Sequence, residues 1–189
     1  SADLGPLRRR GERFLGVGPG DTVLLYVGQH AWEKNTALLL QALGELHRRG
    51  DRFRLALVGE GYATQAMRAM AAELGLAGCT AFHGVLRDRT LLAACYARAD
   101  CLLFPSLYET NGLVVGEAAA FGVPSLLVRG SAATEGTVDG LNAFVAEASA
   151  AAYAARLHEL LAAPDERARA GGRARRSLYR PWSAAVAEA

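Results

Sequence analysis

The sequence predicts an α/β domain: a doubly wound parallel sheet of about six strands, Rossmann-like, with helices on both faces. Three observations carry that expectation. Apolar runs alternate with amphipathic stretches along most of the 189 residues. The runs are rich in Leu, Val and Phe without polar alternation, as in strands covered on both faces. The connections are short, which favours parallel strands joined by right-handed helical crossovers.

In chain order, strands are expected at 22–28, 53–59, 80–84, 101–104, 124–128 and, briefly, 143–145. Helices are expected at 35–49, 62–74, 88–98, 113–121, 149–162 and 166–179. In the first helix Leu39, Ala42, Leu43 and Leu46 recur at helical spacing and make one core-facing stripe. Residues 1–20 read as a linker or amino-terminal segment, 21–163 as the ligand-binding domain, and 164–189 as a helical extension. That extension is punctuated by Pro164, Gly171-Gly172 and Pro181, with Trp182 placed to serve a neighbouring domain.

Composition excludes several classes. An apolar fraction of 51% and a mean hydropathy of +0.11 describe a packed core, and a net charge of +2 selects neither nucleic acid nor membrane. Arginines crowd the two ends, at Arg8, Arg9, Arg10 and Arg13 and again from Arg167 to Arg180. Solvated helix faces explain them better than an anionic membrane does. Cys79, Cys95 and Cys101 form no Cys-x-x-Cys unit and read as buried reduced thiols. The four histidines lack metal-ligand spacing and no Asp-x-Asp occurs, so no metal is expected. Without a signal peptide or a membrane-spanning run, the cytoplasm is the expected compartment.

In doubly wound sheets ligands sit beyond the carboxyl ends of the strands. The richest segment lies there, from Pro105 to Ala118. Glu109 and Glu117, eight residues apart, bracket the corner where the strand at 101–104 gives way to a helix. A helix start offers unpaired N–H groups and partial positive charge to phosphate, while carboxylates beside it can accept from sugar hydroxyls. The plainer alternative is that Thr110 or Asn111 caps the helix and Glu109 favours its positive end. That leaves Glu117 unexplained within the apolar run 113–121, where burial would require partners.

Two other segments follow strands. In Gly28-Gln29-His30-Ala31-Trp32-Glu33-Lys34, the glycine permits close approach and Lys34 can aim its ammonium at phosphate. At a helix start Lys34 opposes the dipole unless an anion compensates. The stretch Gly59-Glu60-Gly61-Tyr62-Ala63-Thr64 nearly spells a dinucleotide fingerprint, but Thr64 replaces the last glycine, so a tight turn is the better reading.

Taken together, these segments resemble the carboxyl-terminal domain of group 1 glycosyltransferases, the retaining family 4 of GT-B architecture. The resemblance runs from about Val23 to Val145. It rests on Tyr26-Val27-Gly28 with Glu33-Lys34, on Val58-Gly59-Glu60-Gly61, on Phe82-His83-Gly84, and on Tyr96-Ala97 with Ala99-Asp100. It continues through Pro105-Ser106-Leu107-Tyr108-Glu109, Gly112-Leu113-Val114, Glu117-Ala118, Gly122-Val123-Pro124 and Asp139-Gly140-Leu141-Asn142. It implies one half of a GT-B fold that binds a nucleotide-diphospho-sugar, with UDP-sugars the more frequent donors, while a preceding domain holds the acceptor. Catalytic roles are implied for Lys34 on the departing diphosphate and for Glu109 at the transferred hexose. Glu117 would hold the ribose diol, the backbone of Thr110, Asn111, Gly112, Leu113 and Val114 the sugar and diphosphate, Gly28 and Gln29 the phosphates, and Val85 and Leu86 the base.

No cofactor, metal or nucleic acid is implied. Peripheral contact at the inner membrane face is open for a full-length enzyme, and this fragment alone is expected to transfer little. An epimerase on the same scaffold, or an interaction domain that has lost its ligand, are the alternatives. Two departures stand out: Gln29 occupies a position usually held by arginine, and Asn111 one more often aromatic. The segment 129–136 has no assignable role.

Overall fold

The computed structural model describes residues 3–108 and 112–178. Six strands, β1 (Val23–Val27), β2 (Arg54–Val58), β3 (Thr80–Gly84), β4 (Cys101–Phe104), β5 (Ser125–Val128) and β6 (Phe144–Ala146), make one sheet in the order β3-β2-β1-β4-β5-β6. Every pairing is parallel. The doubly wound α/β sheet is therefore the fold, and each strand end falls within one residue of the apolar run that predicted it.

Among the described residues, seven α-helices accompany the sheet: α1 (Gly5–Leu15), α2 (Thr36–Arg48), α3 (Thr64–Glu73), α4 (Arg89–Arg98), α5 (Leu113–Ala120), α6 (Ala150–Ala162) and α7 (Pro164–Ser177). Side-chain alternation along the strands splits the core in two. Leu24, Tyr26, Leu55, Leu57, Cys101 and Leu103 face α2, α3 and α6. Val23, Leu25, Ala56, Leu102 and Phe104 face the other way, towards Leu15 of α1, Cys95 and Tyr96 of α4, and Val115 and Ala118 of α5.

α1 was not foreseen, since residues 1–20 read as a linker. Pro6 sits in its first turn, Gly16 ends it in the left-handed conformation (φ 66°), and its inner side packs on α4. The contact is close because Gly11 has no side chain; a Cβ there would stand 2.2 Å from the Ala94 carbonyl oxygen. Most of its arginines point outwards, which hides the helix from a hydropathy pattern.

A fully buried arginine locks this end of the molecule. Arg98, at the last turn of α4, donates to the carbonyls of Gly18 (2.8 Å) and Asp21 (2.6 Å) and to Asp100 Oδ2 (3.0 Å). The same Asp100 oxygen accepts from the Val23 amide at 2.8 Å, so the loop entering β1 and the turn entering β4 share one ionic hub. Arg167 likewise departs from the expected solvated face: it is buried and donates to the Leu160 carbonyl, whereas Arg169, Arg173 and Arg176 are exposed. Cys95 and Cys101 are buried free thiols as expected, but Cys79 is only half-buried. The extension beyond 163 folds as α7 against α5 and α6; Pro181 and Trp182 lie outside the described residues.

Removing Arg98 leaves a partly buried carboxylate and two carbonyls without their shared donor, so Arg98→Ala should lose about 3 kcal/mol of unfolding free energy. Arg10→Ala, which removes a half-exposed pair with Asp88, should cost about 1 kcal/mol or less. Urea denaturation of the two variants checks the difference; equal midpoints would deny the hub its role.

Candidate functional site

β1 pairs with β2 on one side and with β4 on the other, so the chain reverses its winding between β1 and β4. In sheets of this kind, loops leaving two such strands diverge and leave a crevice beyond their carboxyl ends. The loop after β1 is pinned by backbone bonds. Gly28 N–H donates to the Val58 carbonyl (3.0 Å), His30 N–H to that of Glu60 (3.1 Å), and Ala63 N–H to that of His30 (3.0 Å). Gly59 and Gly61 make this seam possible: a Cβ on either would stand 1.9 Å from Gly28 O or 2.2 Å from His30 O. Close backbone packing, not a cofactor, accounts for these glycines.

His30 is buried beneath the seam. Its Nδ1 lies 3.0 Å from Thr64 Oγ1 and its ring meets Phe82 edge-on at 5.8 Å. Burial lowers its pKa, so it stands as a neutral strut.

Lys34 ends a 3₁₀ turn, Trp32–Lys34, and is half-buried. It was expected at a helix start, but α2 begins at Thr36 with Asn35 as N-cap, so Lys34 stands just outside the helix. Asn35 is the one non-glycine with positive φ (59°) among the described residues. Its side-chain Nδ2 donates to the Pro105 carbonyl at 3.2 Å, tying the lysine's turn to the first residue of the corner after β4. Gln29 is exposed, and its backbone carbonyl accepts from the Tyr26 hydroxyl at 2.8 Å.

Glu109, Thr110 and Asn111 lie outside the described residues. Beyond them Gly112 (φ 46°) is the N-cap of α5 and brings no side chain to the helix start. Leu113 is exposed and Val114 half-buried. Glu117, one turn in, is also exposed, because Val115, Ala118 and Ala119 form the inward face of the short helix. The apolar run suggested burial; the helix instead turns this carboxylate outwards.

Its partner escaped the sequence reading. Tyr96, on α4, is 2% exposed and stacks on Phe121 at 5.9 Å, and its hydroxyl donates to Glu117 Oε2 at 2.7 Å. Burial, reinforced by that carboxylate, raises the Tyr96 pKa far above the usual phenol range and keeps it a donor. A tyrosine on an amphipathic helix carries no sequence signal beyond core packing.

Val85 is exposed after β3, while Leu86 packs against the cluster that contains Tyr96 and Val115. The unassigned segment 129–136 lies against the same corner. Its 3₁₀ turn, Ala132–Thr134, is capped by the buried Ser131, and a Cβ on Gly112 would come within 3.2 Å of Ala133 Cβ. Asn142 holds the segment from behind, accepting from Val138 N–H at 2.7 Å and donating to Ser177 Oγ at 2.9 Å. A separate cavity of about 190 Å³, lined by Leu15, Val23, Cys79 and Thr80 among others, sits near the amino ends of the strands. It is remote from the crevice.

Among the described residues, no cluster of three or more His, Cys, Asp or Glu side chains could hold a metal ion.

Known proteins resemble this arrangement over nearly its whole length. The D-inositol 3-phosphate glycosyltransferase of Segniliparus rotundus is 33% identical over 165 residues, which are 85% of this chain and 36% of that protein. The structure of Anabaena Alr3699/HepE in complex with UDP-glucose superposes with a TM-score of 0.80 at 20% identity, covering 93% of this chain and 49% of that one. The carboxyl-terminal domain of the group 1 glycosyl transferase LpcC from Francisella tularensis superposes with a TM-score of 0.79 at 18% identity, covering 93% of this chain and 91% of that one. The chain spans less than half the length of the curated relatives it matches. Residues 9–177 match the family described as glycosyl transferases group 1, and the chain belongs to that family.

Proposed function

We propose that this chain is the donor-binding half of a retaining hexosyltransferase, which holds a nucleotide-diphospho-sugar in the crevice while a preceding domain presents the acceptor. The observation that carries the proposal is Glu117: a carboxylate turned outwards, one turn inside a helix whose N-cap has no side chain, and held there by a buried tyrosine. The ribose diol donates to Glu117. The diphosphate lies against the amides of Leu113 and Val114, and the base reaches Val85 and Leu86. The end-to-end likeness to a carboxyl-terminal domain, and UDP-glucose held by a protein of the same fold, support a donor of UDP-sugar type.

Breaking the anomeric bond leaves negative charge on the diphosphate. Fixed N–H groups and the Lys34 ammonium, placed before that charge develops, lower the barrier without a metal ion. Glu109 and the neighbouring Thr110, Asn111 and Gly112 backbone would engage the hexose, and the acceptor attacks from the face the leaving group vacates. Gly28 and Gln29 border the phosphates, with Gln29 donating hydrogen bonds but no charge. Exposed Trp32, Tyr62, Val85, Tyr108 and Leu113 all follow strands at this one end, an apolar rim suited to a covering domain. No helix among the described residues is long and apolar enough to cross a membrane. A cytoplasmic enzyme, touching the inner membrane face at most peripherally, fits that proposal.

The uncharged Gln29 favours one other reading, an interaction domain on the same scaffold with no donor affinity. A thermal-shift panel of UDP, GDP, ADP and their sugars separates the two. A bound nucleotide at one hundred times its Kd stabilises the chain by about 2.7 kcal/mol; a panel silent at millimolar concentration supports the interaction domain.

Glu117→Ala should weaken nucleotide and nucleotide sugar alike, whereas Glu109→Ala should weaken only the increment due to the sugar. Calorimetric titration reads both, and parallel losses in the two variants would contradict the division of roles. Lys34→Ala should reduce affinity for the diphosphate about tenfold while sparing the nucleoside, the scale of one charge-assisted contact. Indifference to phosphate number would remove the lysine from the leaving-group site.

A further inference from the structure

Resting on the role proposed for Glu117, we infer that Tyr96 is a positioning residue for the site: its hydroxyl fixes the Glu117 carboxylate in the rotamer that receives a vicinal diol. Three facts converge. Glu117 is exposed on α5, and nothing about an exposed glutamate on a helix selects one of its rotamers. The Tyr96 ring cannot follow it, being 2% exposed and stacked with an interplanar angle of 9° on Phe121. The bond between them, at 2.7 Å, spans 21 residues and two helices, so a buried, immobile donor dictates where a solvent-facing acceptor rests.

The stoichiometry of the carboxylate suits the task. Its two oxygens offer about four lone-pair directions. The phenol occupies one on Oε2 and leaves Oε1 and the outer side of Oε2 to accept from two adjacent hydroxyls. A cis-diol on a five-membered ring presents two such donors side by side, and a ligand lacking them gains nothing from the fixed geometry. The tyrosine hydroxyl is also the sole polar atom of a ring packed among Leu25, Leu102, Phe104 and Val115 of one core cluster. Burying it there is costly without a partner, and a core position alone would be served by phenylalanine.

Tyr96→Phe keeps the ring, the stacking and the core, and deletes only the bond. The probes are UDP and 2′,3′-dideoxy-UDP, titrated calorimetrically into the chain. In the native protein UDP should bind more tightly than its dideoxy analogue. In Tyr96→Phe, UDP should bind about fivefold more weakly, the size of one hydrogen bond, while dideoxy-UDP binds as before. In a Glu117→Ala background the tyrosine substitution should change neither affinity. The ratio of the two affinities is unaffected by any change in folded fraction, so a merely structural role would leave it untouched. Equal weakening of both probes, or an unaltered ratio in Tyr96→Phe, overturns the positioning role while leaving Glu117 in place. A native chain that binds both probes equally well, or neither, removes the role of Glu117 itself and the inference with it.

Discussion

The pairing of β1 with β4 is the constraint on which the remainder of the structure depends. Leu24 and Leu25 of β1 meet Cys101 and Leu102 of β4 across more than seventy residues, which the intervening chain spends on β2 and β3 on the opposite side. Right-handed crossovers then force α2 and α3 onto one face and α4 and α5 onto the other. No loop can bridge the point where the direction of winding reverses, and a crevice results. Both strands are almost wholly buried, so the residues they release, Gly28 and Pro105, start from fixed positions. Asn35 then ties the two released loops together through the Pro105 carbonyl.

Around that crevice rigidity and exposure are divided between backbone and side chains. The seam from Gly28 to Ala63 is made almost entirely of main-chain bonds, and Gly59 and Gly61 yield every atom of side chain to it. Residues available to a ligand come instead from positions the core does not claim: Gln29, Val85, Leu113 and Glu117 are all exposed. α5 shows how far this goes. It is only eight residues long, and three of them, Val115, Ala118 and Ala119, are spent on packing. A helix so anchored can turn a carboxylate to solvent without losing its seat, and the tyrosine of the adjoining helix supplies the one restraint that packing cannot.

Much of this was legible in the sequence because parallel strands buried on both faces leave uninterrupted apolar runs, and all six appeared within a residue of their places. The end of the sheet where the proposed site lies was legible too, since Gly28, Lys34, Gly112 and Glu117 each come after a strand. What failed to show had physical causes. α1 carries its apolar contacts on Phe14, Leu15 and a bare glycine, and a glycine that allows two helices to touch reads in sequence as a break. Lys34 seemed to begin a helix because the 3₁₀ turn runs directly up to the N-cap of α2, and only the left-handed Asn35 separates them. Glu117 looked buried because its neighbours are apolar, although an eight-residue helix at the rim has an outer face. Tyr96 was invisible as a site residue because its ring and its hydroxyl answer to different demands, and hydropathy registers only the ring.

The charge distribution at the crevice bears on why a sugar diphosphate, the ligand proposed for it, would suit it better than a neutral one. The start of α5 is uncharged but polarised, with no side chain at Gly112 to satisfy its amides, and no acidic residue stands in the helix's first turn. The first carboxylate within α5 is Glu117, a full turn further on, and one of its oxygens is already engaged by Tyr96. Positive potential therefore sits at the mouth of the helix and negative potential a turn inside it. A ligand that presents phosphate to the first and hydroxyl donors to the second satisfies both without a counter-ion, since helix amides and a carboxylate call for opposite partners. A simple phosphate would answer only the mouth, and a free sugar only the carboxylate. The nucleoside diphosphate carries both groups at the spacing of a single ribose. For that reason Gln29, uncharged as it is, would cost the proposed site one cation without reversing the polarity on which the proposed recognition depends.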